Sequence, residues 1–161
     1  MLDDDTLALA ARALDTLRAR KHRVVTAESC TGGLVAAALT AQPGSSDVVE
    51  GGFVTYSNAL KETILIVGGT TLARKGAVSE ETAVEMVFGA LQAAPNATIA
   101  VSLTGIAGPA GGTDAKPVGT VCIACLSGTN APHVETCHFP GDRAAIRQAA
   151  VRRALELLIQ S

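Results

Sequence analysis

The stretch that most constrains this chain is a strand-to-helix junction at residues 24–41. A β-favouring run, Val24-Val25-Thr26, passes through Ala27-Glu28-Ser29-Cys30-Thr31-Gly32-Gly33 into the helix-forming run Leu34-Val35-Ala36-Ala37-Ala38-Leu39. Two nucleophilic side chains, Ser29 and Cys30, therefore sit where a strand turns into a helix. The first-turn N–H groups of such a helix lack intrahelical acceptors, and its dipole adds partial positive charge. An anion, or the oxyanion formed when a carbonyl is attacked, is stabilised at such a spot. Gly32 and Gly33 leave the backbone uncovered, so a ligand can come close. Ser or Thr before a helix also serves as an ordinary N-cap. On this segment alone, a reactive site and a simple cap both stay open.

The alternation continues along the chain. Residues 3–20 read as a helix, with three aspartates near its positive end and Leu7, Ala10, Leu14 and Leu17 at helical spacing. Strand 24–27 feeds a helix over about 33–41 that the Pro43-Gly44 turn ends. A second strand spans about 48–57, with Gly51-Gly52 suggesting a bulge. Asn58 is expected to cap a short helix through Leu65, and Ser79 to cap another over about 80–94. Strand 98–103 runs into a glycine-rich loop, 104–117. Strands 119–126 and 133–139 form a hairpin across Ser127-Gly128-Thr129-Asn130. A long helix, about 142–160, ends the sequence. Strands alternating with helices, followed by a hairpin, predict an α/β fold: a three-layer α/β/α single domain over 1–161 with a mixed sheet.

Composition narrows the function classes. The 161 residues suit one domain, and 48% hydrophobic content supplies a core that is aliphatic and alanine-rich. With no Trp, one Tyr and three Phe, a stacking platform for single-stranded nucleic acid is not expected. The net charge of −2 argues against a polyanion-binding surface, so no nucleic-acid partner is expected. No apolar run reaches the roughly 20 residues of a membrane span, and the acidic start Met1-Leu2-Asp3-Asp4-Asp5 is not a secretory signal. Cys122 and Cys125 fall three apart in a strand-like run, so their sulfurs face opposite sides and do not share a zinc ion. Cys137 and His138 diverge likewise. Free, mostly buried thiols in a cytoplasmic protein, with no metal, are the expectation.

Three segments offer chemistry. Besides Ser29 with Cys30, Thr31, Gly32 and Gly33, the run Gly51–Lys61 contains the only tyrosine, Tyr56, and one of four lysines, Lys61. Lys61 falls near the positive end of a helix, where a cation is disfavoured, and that position together with a desolvated cleft is expected to lower its pKa. A lysine brought toward neutrality can act as a general base. An exposed lysine and a strand-end tyrosine are the plainer account. The third segment, Thr104-Gly105-Ile106-Ala107-Gly108-Pro109-Ala110-Gly111-Gly112, places four glycines within eight residues directly after a strand. Such a loop can turn N–H groups toward a phosphate, although it matches neither a Walker loop nor the dinucleotide fingerprint. Arg143 and Arg147 add cations one turn apart, which surface positions would equally explain. No histidine lies near Ser29 or Tyr56 in sequence. These residues therefore offer a serine activated by lysine and tyrosine, with Lys61 as the base and Tyr56 expected to relay the proton or orient the serine hydroxyl.

Taken together, Ala27–Gly33, Val54-Thr55-Tyr56-Ser57-Asn58 with Lys61, Gly76-Ala77-Val78-Ser79 and Thr104–Pro109 resemble the CinA-type family. This is the C-terminal domain of bacterial competence/damage-inducible proteins. Lys116–Val121 and Gly141-Asp142-Arg143 match too, and the likeness runs from about Val24 to Leu158. The run Ile64–Thr70 departs from the usual Leu-Gly-Val-Pro pattern. The chain resembles the stand-alone form, whose members are nicotinamide mononucleotide deamidases. The resemblance implies hydrolysis of that nucleotide to nicotinate mononucleotide and ammonia, recycling pyridine nucleotide in the cytoplasm without metal or other cofactor. It implies Ser29, Tyr56 and Lys61 as catalytic residues. Cys30, Thr31, Gly32, Gly33, Thr104, Gly105, Gly108, Gly111, Gly112, Arg143 and Arg147 are the expected substrate contacts. A homo-oligomer with a small-molecule nucleotide substrate is the expected assembly. The alternative is a catalytically silent nucleotide-binding or protein-interaction domain; intact Ser29, Tyr56 and Lys61 favour the enzyme.

Overall fold

The computed structural model describes residues 2–161. Its elements in chain order are α1 (Asp4–Ala19), β1 (Val24–Glu28), α2 (Leu34–Thr40), β2 (Val49–Val54), α3 (Asn58–Leu65) and α4 (Gly69–Lys75), then α5 (Glu80–Ala93), β3 (Ile99–Gly105), β4 (Thr120–Ser127), β5 (His133–His138) and α6 (Arg143–Gln160). The strands form one sheet in the order β2-β1-β3-β4-β5. β1 runs parallel to both β2 and β3, whereas β3-β4 and β4-β5 are antiparallel. The mixed α/β/α sandwich read from the sequence is therefore the fold.

Side-chain alternation divides the core in two. Val24, Ile99, Val101, Leu103, Val121 and Ile123 pack against α1, α2 and α6. Val25, Ala27, Ala100, Ala124 and Leu126 pack against the second layer, in which Leu65 of α3, Leu72 of α4 and Met86 of α5 are buried. Cys125 belongs to the first cluster and Cys122 to the second, so the two sulfurs do face opposite sides. Each fully buried aliphatic side chain contributes roughly 1.5–3 kcal/mol. The central strands β1 and β3 are covered on both faces, so even their polar residues Thr26, Glu28, Ser102 and Thr104 are buried.

Several local expectations need correction. Ser57, not Asn58, caps α3, its hydroxyl accepting from the Leu60 N–H. β2 ends at Val54, so Thr55, Tyr56 and Ser57 lie beyond it. Its irregularity falls at Glu50, because Val24 pairs with Val49 and Val25 with Gly51. Gly52 is required for another reason: a Cβ there would collide with the Thr26 hydroxyl and press on Ala36. Helix α4 has no counterpart in the sequence reading; it follows the tight exit from α3, where Ile66 adopts the left-handed conformation (φ 56°). Ser79 and Asp142 cap α5 and α6, accepting from Thr82 and Ala145 N–H. Among the described residues no helix is long and apolar enough to cross a membrane.

Helix α5 approaches the end of α3 so closely that only glycine fits at position 89. A Cβ on Gly89 would overlap the Leu65 carbonyl. Because α3 bears Lys61, this contact also sets where that lysine sits. Gly89→Ala should destabilise the fold by about 1–3 kcal/mol through overpacking, lowering Tm by roughly 2–4 °C for each kcal/mol. Gly51→Ala, whose Cβ would meet nothing within 4 Å, should leave Tm almost unchanged. Thermal unfolding followed by circular dichroism checks both.

Candidate active site

The parallel strands point their carboxyl ends to one edge of the sheet, and the chain leaves β1 on one face but β2 on the other. Ligands of open α/β sheets bind at such a reversal, here between β1 and β3. Ser29 is the first residue past β1. Its N–H donates to the Leu103 carbonyl (2.9 Å), while Thr55 N–H donates to the Glu28 carbonyl (2.9 Å). Both bonds extend the parallel ladders by one step and hold Ser29 between the ends of β2 and β3.

Glu28 organises the turn that follows. It is fully buried, and its side chain accepts from Thr31 Oγ1 (2.7 Å) and from the N–H groups of Gly33 (3.0 Å), Val35 (3.1 Å) and Ala36 (2.9 Å). Thr26 Oγ1 approaches at 3.3 Å. The carboxylate thus occupies the start of α2, which the sequence reading reserved for a substrate anion. Among the described residues, the N–H groups of Cys30 and Thr31 are left without an acceptor. Gly32 (φ 63°) and Gly33 (φ 94°) take left-handed conformations that side chains rarely adopt. Glu28 was missed as a site residue, although a carboxylate just before a helix start is what those N–H groups attract.

Lys61 enters from α3 and is 1% exposed. Its Nζ lies 2.9 Å from Ser29 Oγ, 2.8 Å from the Thr55 carbonyl and 3.3 Å from the Tyr56 carbonyl. None of these partners is a carboxylate. Removal from water without a counter-charge holds its pKa below the ordinary lysine range. Burial is the cause, more than the helix-start position that the sequence suggested. The neutral amine can then accept the Ser29 proton across the same 2.9 Å. The Thr55 hydroxyl is buried with no hydrogen-bond partner among the described residues.

Cys30 points the other way. Its thiol packs in the cluster under α2 and α6, and burial pushes its pKa up to about 11, with Glu28 adding to the rise. It is a poor nucleophile there. Tyr56 does not reach the dyad through its hydroxyl; the ring is 59% exposed, and the hydroxyl accepts from Arg143 Nη2 (3.2 Å). A proton relay through the Tyr56 hydroxyl is thus not formed in this structure. Arg143 Nη1 also donates to the Gly108 carbonyl (2.7 Å), joining Tyr56, α6 and the glycine loop at the mouth of the site. Arg147 is instead engaged with the Ser29 turn, donating to the carbonyls of Cys30 (3.1 Å) and Thr31 (2.9 Å).

The glycine loop is held by its ends. Thr104 Oγ1 is turned inward to the Ala77 carbonyl (2.7 Å), and Ile106 N–H bonds the Thr120 carbonyl (2.9 Å). Gly105 and Gly112 pass so close to Val121 and Val118 that a Cβ would clash. Gly108 (φ 80°) and Gly111 (φ 94°) are left-handed. Among the described residues, the N–H groups of Ala107, Gly108, Ala110, Gly111 and Gly112 have no acceptor. Thr31 and Thr104 thus support the frame through their side chains, and the open donors come from the loop backbone.

Comparison with known proteins places this geometry. The family model for the CinA C-terminal domain matches residues 6–161. The chain is 48% identical over 160 residues to the nicotinamide-nucleotide amidohydrolase PncC of Escherichia coli K12, covering 99% of this chain and 96% of that protein. It is also 48% identical over 157 residues to PncC of Pseudomonas putida, covering 98% and 97%. A solved competence/damage-inducible protein, CihA from Agrobacterium tumefaciens, superposes with a TM-score of 0.95 at 45% identity, covering 99% of this chain and 97% of that one. The chain belongs to the CinA C-terminal domain family.

Proposed function

We propose that this protein hydrolyses the carboxamide of nicotinamide mononucleotide to nicotinate mononucleotide and ammonia, with Ser29 as nucleophile and Lys61 as base. The observation that supports this most is the 2.9 Å Lys61 Nζ–Ser29 Oγ contact inside a site that buries the lysine without a counter-charge. The relatives at 48% identity are named for this activity. Neutral Lys61 takes the Ser29 proton as Oγ attacks the carboxamide carbon. The carbonyl oxygen becomes an oxyanion and meets the free N–H groups of Cys30 and Thr31. Lys61 returns its proton to the departing nitrogen, and ammonia leaves. Water, deprotonated by the same amine, then attacks the acyl-serine to give the carboxylate and restore Ser29.

The phosphate falls to the free N–H groups of the Ala107–Gly112 segment together with Arg143, whose guanidinium already spans the loop and Tyr56. Tyr56 orients Arg143 and flanks the mouth in this scheme. The substrate is a small nucleotide, and the Lys–Ser pair performs the acyl transfer.

Four variants test the scheme. Ammonia release from nicotinamide mononucleotide should fall about 10²- to 10⁴-fold on loss of the base in Lys61→Met. It should fall as far in Lys61→Arg, whose guanidinium keeps the charge but is not deprotonated. Ser29→Ala should be inactive, and Cys30→Ala should keep most activity. Normal turnover in Ser29→Ala would sink the assignment.

The rate should depend on pH with a definite sign. Only neutral Lys61 is competent, so kcat should rise with pH along an acid limb that lies below the ordinary lysine range. A rate that declines as pH rises through that limb would exclude a lysine base. Finally, kcat/KM for nicotinamide mononucleotide should exceed that for nicotinamide riboside several-fold or more, and Arg143→Met should shrink the ratio. Equal efficiency on both substrates would remove the phosphate site.

A further inference from the structure

Arg147 reaches the Ser29 turn from α6, on the face of the sheet opposite the one Lys61 comes from. Its Nε and Nη2 donate to two successive carbonyls, those of Cys30 and Thr31. A trans peptide sets its C=O and N–H antiparallel. Holding the Cys30 carbonyl therefore aims the Thr31 N–H away from Arg147. Holding the Thr31 carbonyl aims the Gly32 N–H away too, and that group closes the turn on the Ser29 carbonyl at 3.0 Å. Thr31 N–H is left oriented and free. Glu28 meanwhile occupies the Gly33, Val35 and Ala36 N–H groups, so they do not compete for a developing oxyanion.

We propose that Arg147 is a positioning residue for acyl transfer: it fixes the Cys30–Thr31 peptide so that the Thr31 N–H beside Ser29 meets the oxyanion. This rests on the amidase reading above. It also separates two arginines that the sequence treated alike. Arg143 faces the mouth and the phosphate, whereas Arg147 faces the main chain. Arginine suits the role because its planar fork spans two carbonyls in one orientation, which the single ammonium of a lysine does not reproduce.

The test compares wild type with Arg147→Ala and Arg147→Lys on both nicotinamide mononucleotide and nicotinamide riboside, using Ser29→Ala as the blank. Loss of an oxyanion donor typically costs about 10²- to 10³-fold in kcat, and Arg147→Ala should approach that range with KM little changed. Both substrates should lose the same factor, leaving their kcat/KM ratio as in wild type. Added guanidinium should restore part of the kcat of Arg147→Ala and leave wild type unaffected. A collapse of the ratio instead would make Arg147 a phosphate ligand, and an unchanged kcat would show that the turn holds itself. Either result overturns the proposal.

A second readout does not depend on the substrate. Phosphonylation of Ser29 by a fluorophosphonate, which needs both an activated hydroxyl and donors for the phosphoryl oxygen, should slow in Arg147→Ala in parallel with kcat. If wild type releases no ammonia, the amidase reading fails and labelling decides alone. Slower labelling of a variant whose Tm matches wild type upholds the positioning role; equal labelling, or none in wild type, overturns it. If Arg147→Ala does not fold, Arg147→Lys is read by the same criteria.

Discussion

The buried side chain of Glu28 is the interaction on which the site depends. A carboxylate removed from water is costly unless its oxygens are saturated with donors. Here the donors are the otherwise unsatisfied N–H groups at the start of α2 and the Thr31 hydroxyl. Each defect solves the other: the helix start gains an acceptor, and the carboxylate gains a positive dipole end. The chain must then climb from Glu28 and double back within five residues, which forces the left-handed glycines at 32 and 33. Ser29 lies at the outer bend of that path. Its place at that bend, nearly buried and against Lys61, is thus a consequence of satisfying Glu28.

Lys61 presents the opposite case. It lies close to Ser29 with three oxygen acceptors and no negative partner. A carboxylate beside it would fix the charge and raise its pKa. Glu28, one residue from Ser29, is kept from that role by strand alternation. Its side chain emerges on the α2 face of the sheet, whereas Lys61 arrives from the α3 face. The sheet thus separates a buried acid and a buried base that would otherwise neutralise each other as an ion pair. Each is held by main-chain dipoles, and the lysine stays able to give up its proton.

Much of this was legible in the sequence because it depends on local periodicity. The alternation of Val24-Val25-Thr26 with the helical run from Leu34, the cap at Ser79 and the Ser127–Asn130 hairpin are all short-range signals. Lys61 was legible as a candidate but for an incomplete reason, since its burial arises from the packing of α3 on α5 around Gly89. The Tyr56 relay failed for a similar reason. Tyr56 lies two residues past the end of β2, and the hydroxyl's partner, Arg143, lies 87 residues away and is set by how α6 docks. Helix α4 went unread because its start, Gly68-Gly69, has no side-chain cap. The roles of Arg143 and Arg147 also depend on docking, and their four-residue spacing places both on one side of α6 without saying which reaches which loop.

That spacing explains how one helix serves two parts of the site. Residues four apart lie one turn apart on the same helix face, separated by about 5–6 Å. Arg143, in the first turn, projects past the end of the sheet and meets the Gly108 carbonyl and Tyr56. Arg147, one turn deeper, meets the carbonyls that follow Ser29. Helix α6 is anchored by buried Ile146, Ala150, Val151 and Leu155, so the backbone positions from which the two side chains reach out are fixed relative to each other. The distance between the glycine loop and the Ser29 turn is thereby fixed by a rigid element. In the proposed scheme a ligand gripped at one end by Arg143 and attacked at the other beside Arg147 has to match that length, with the register of α6 on the sheet as its ruler.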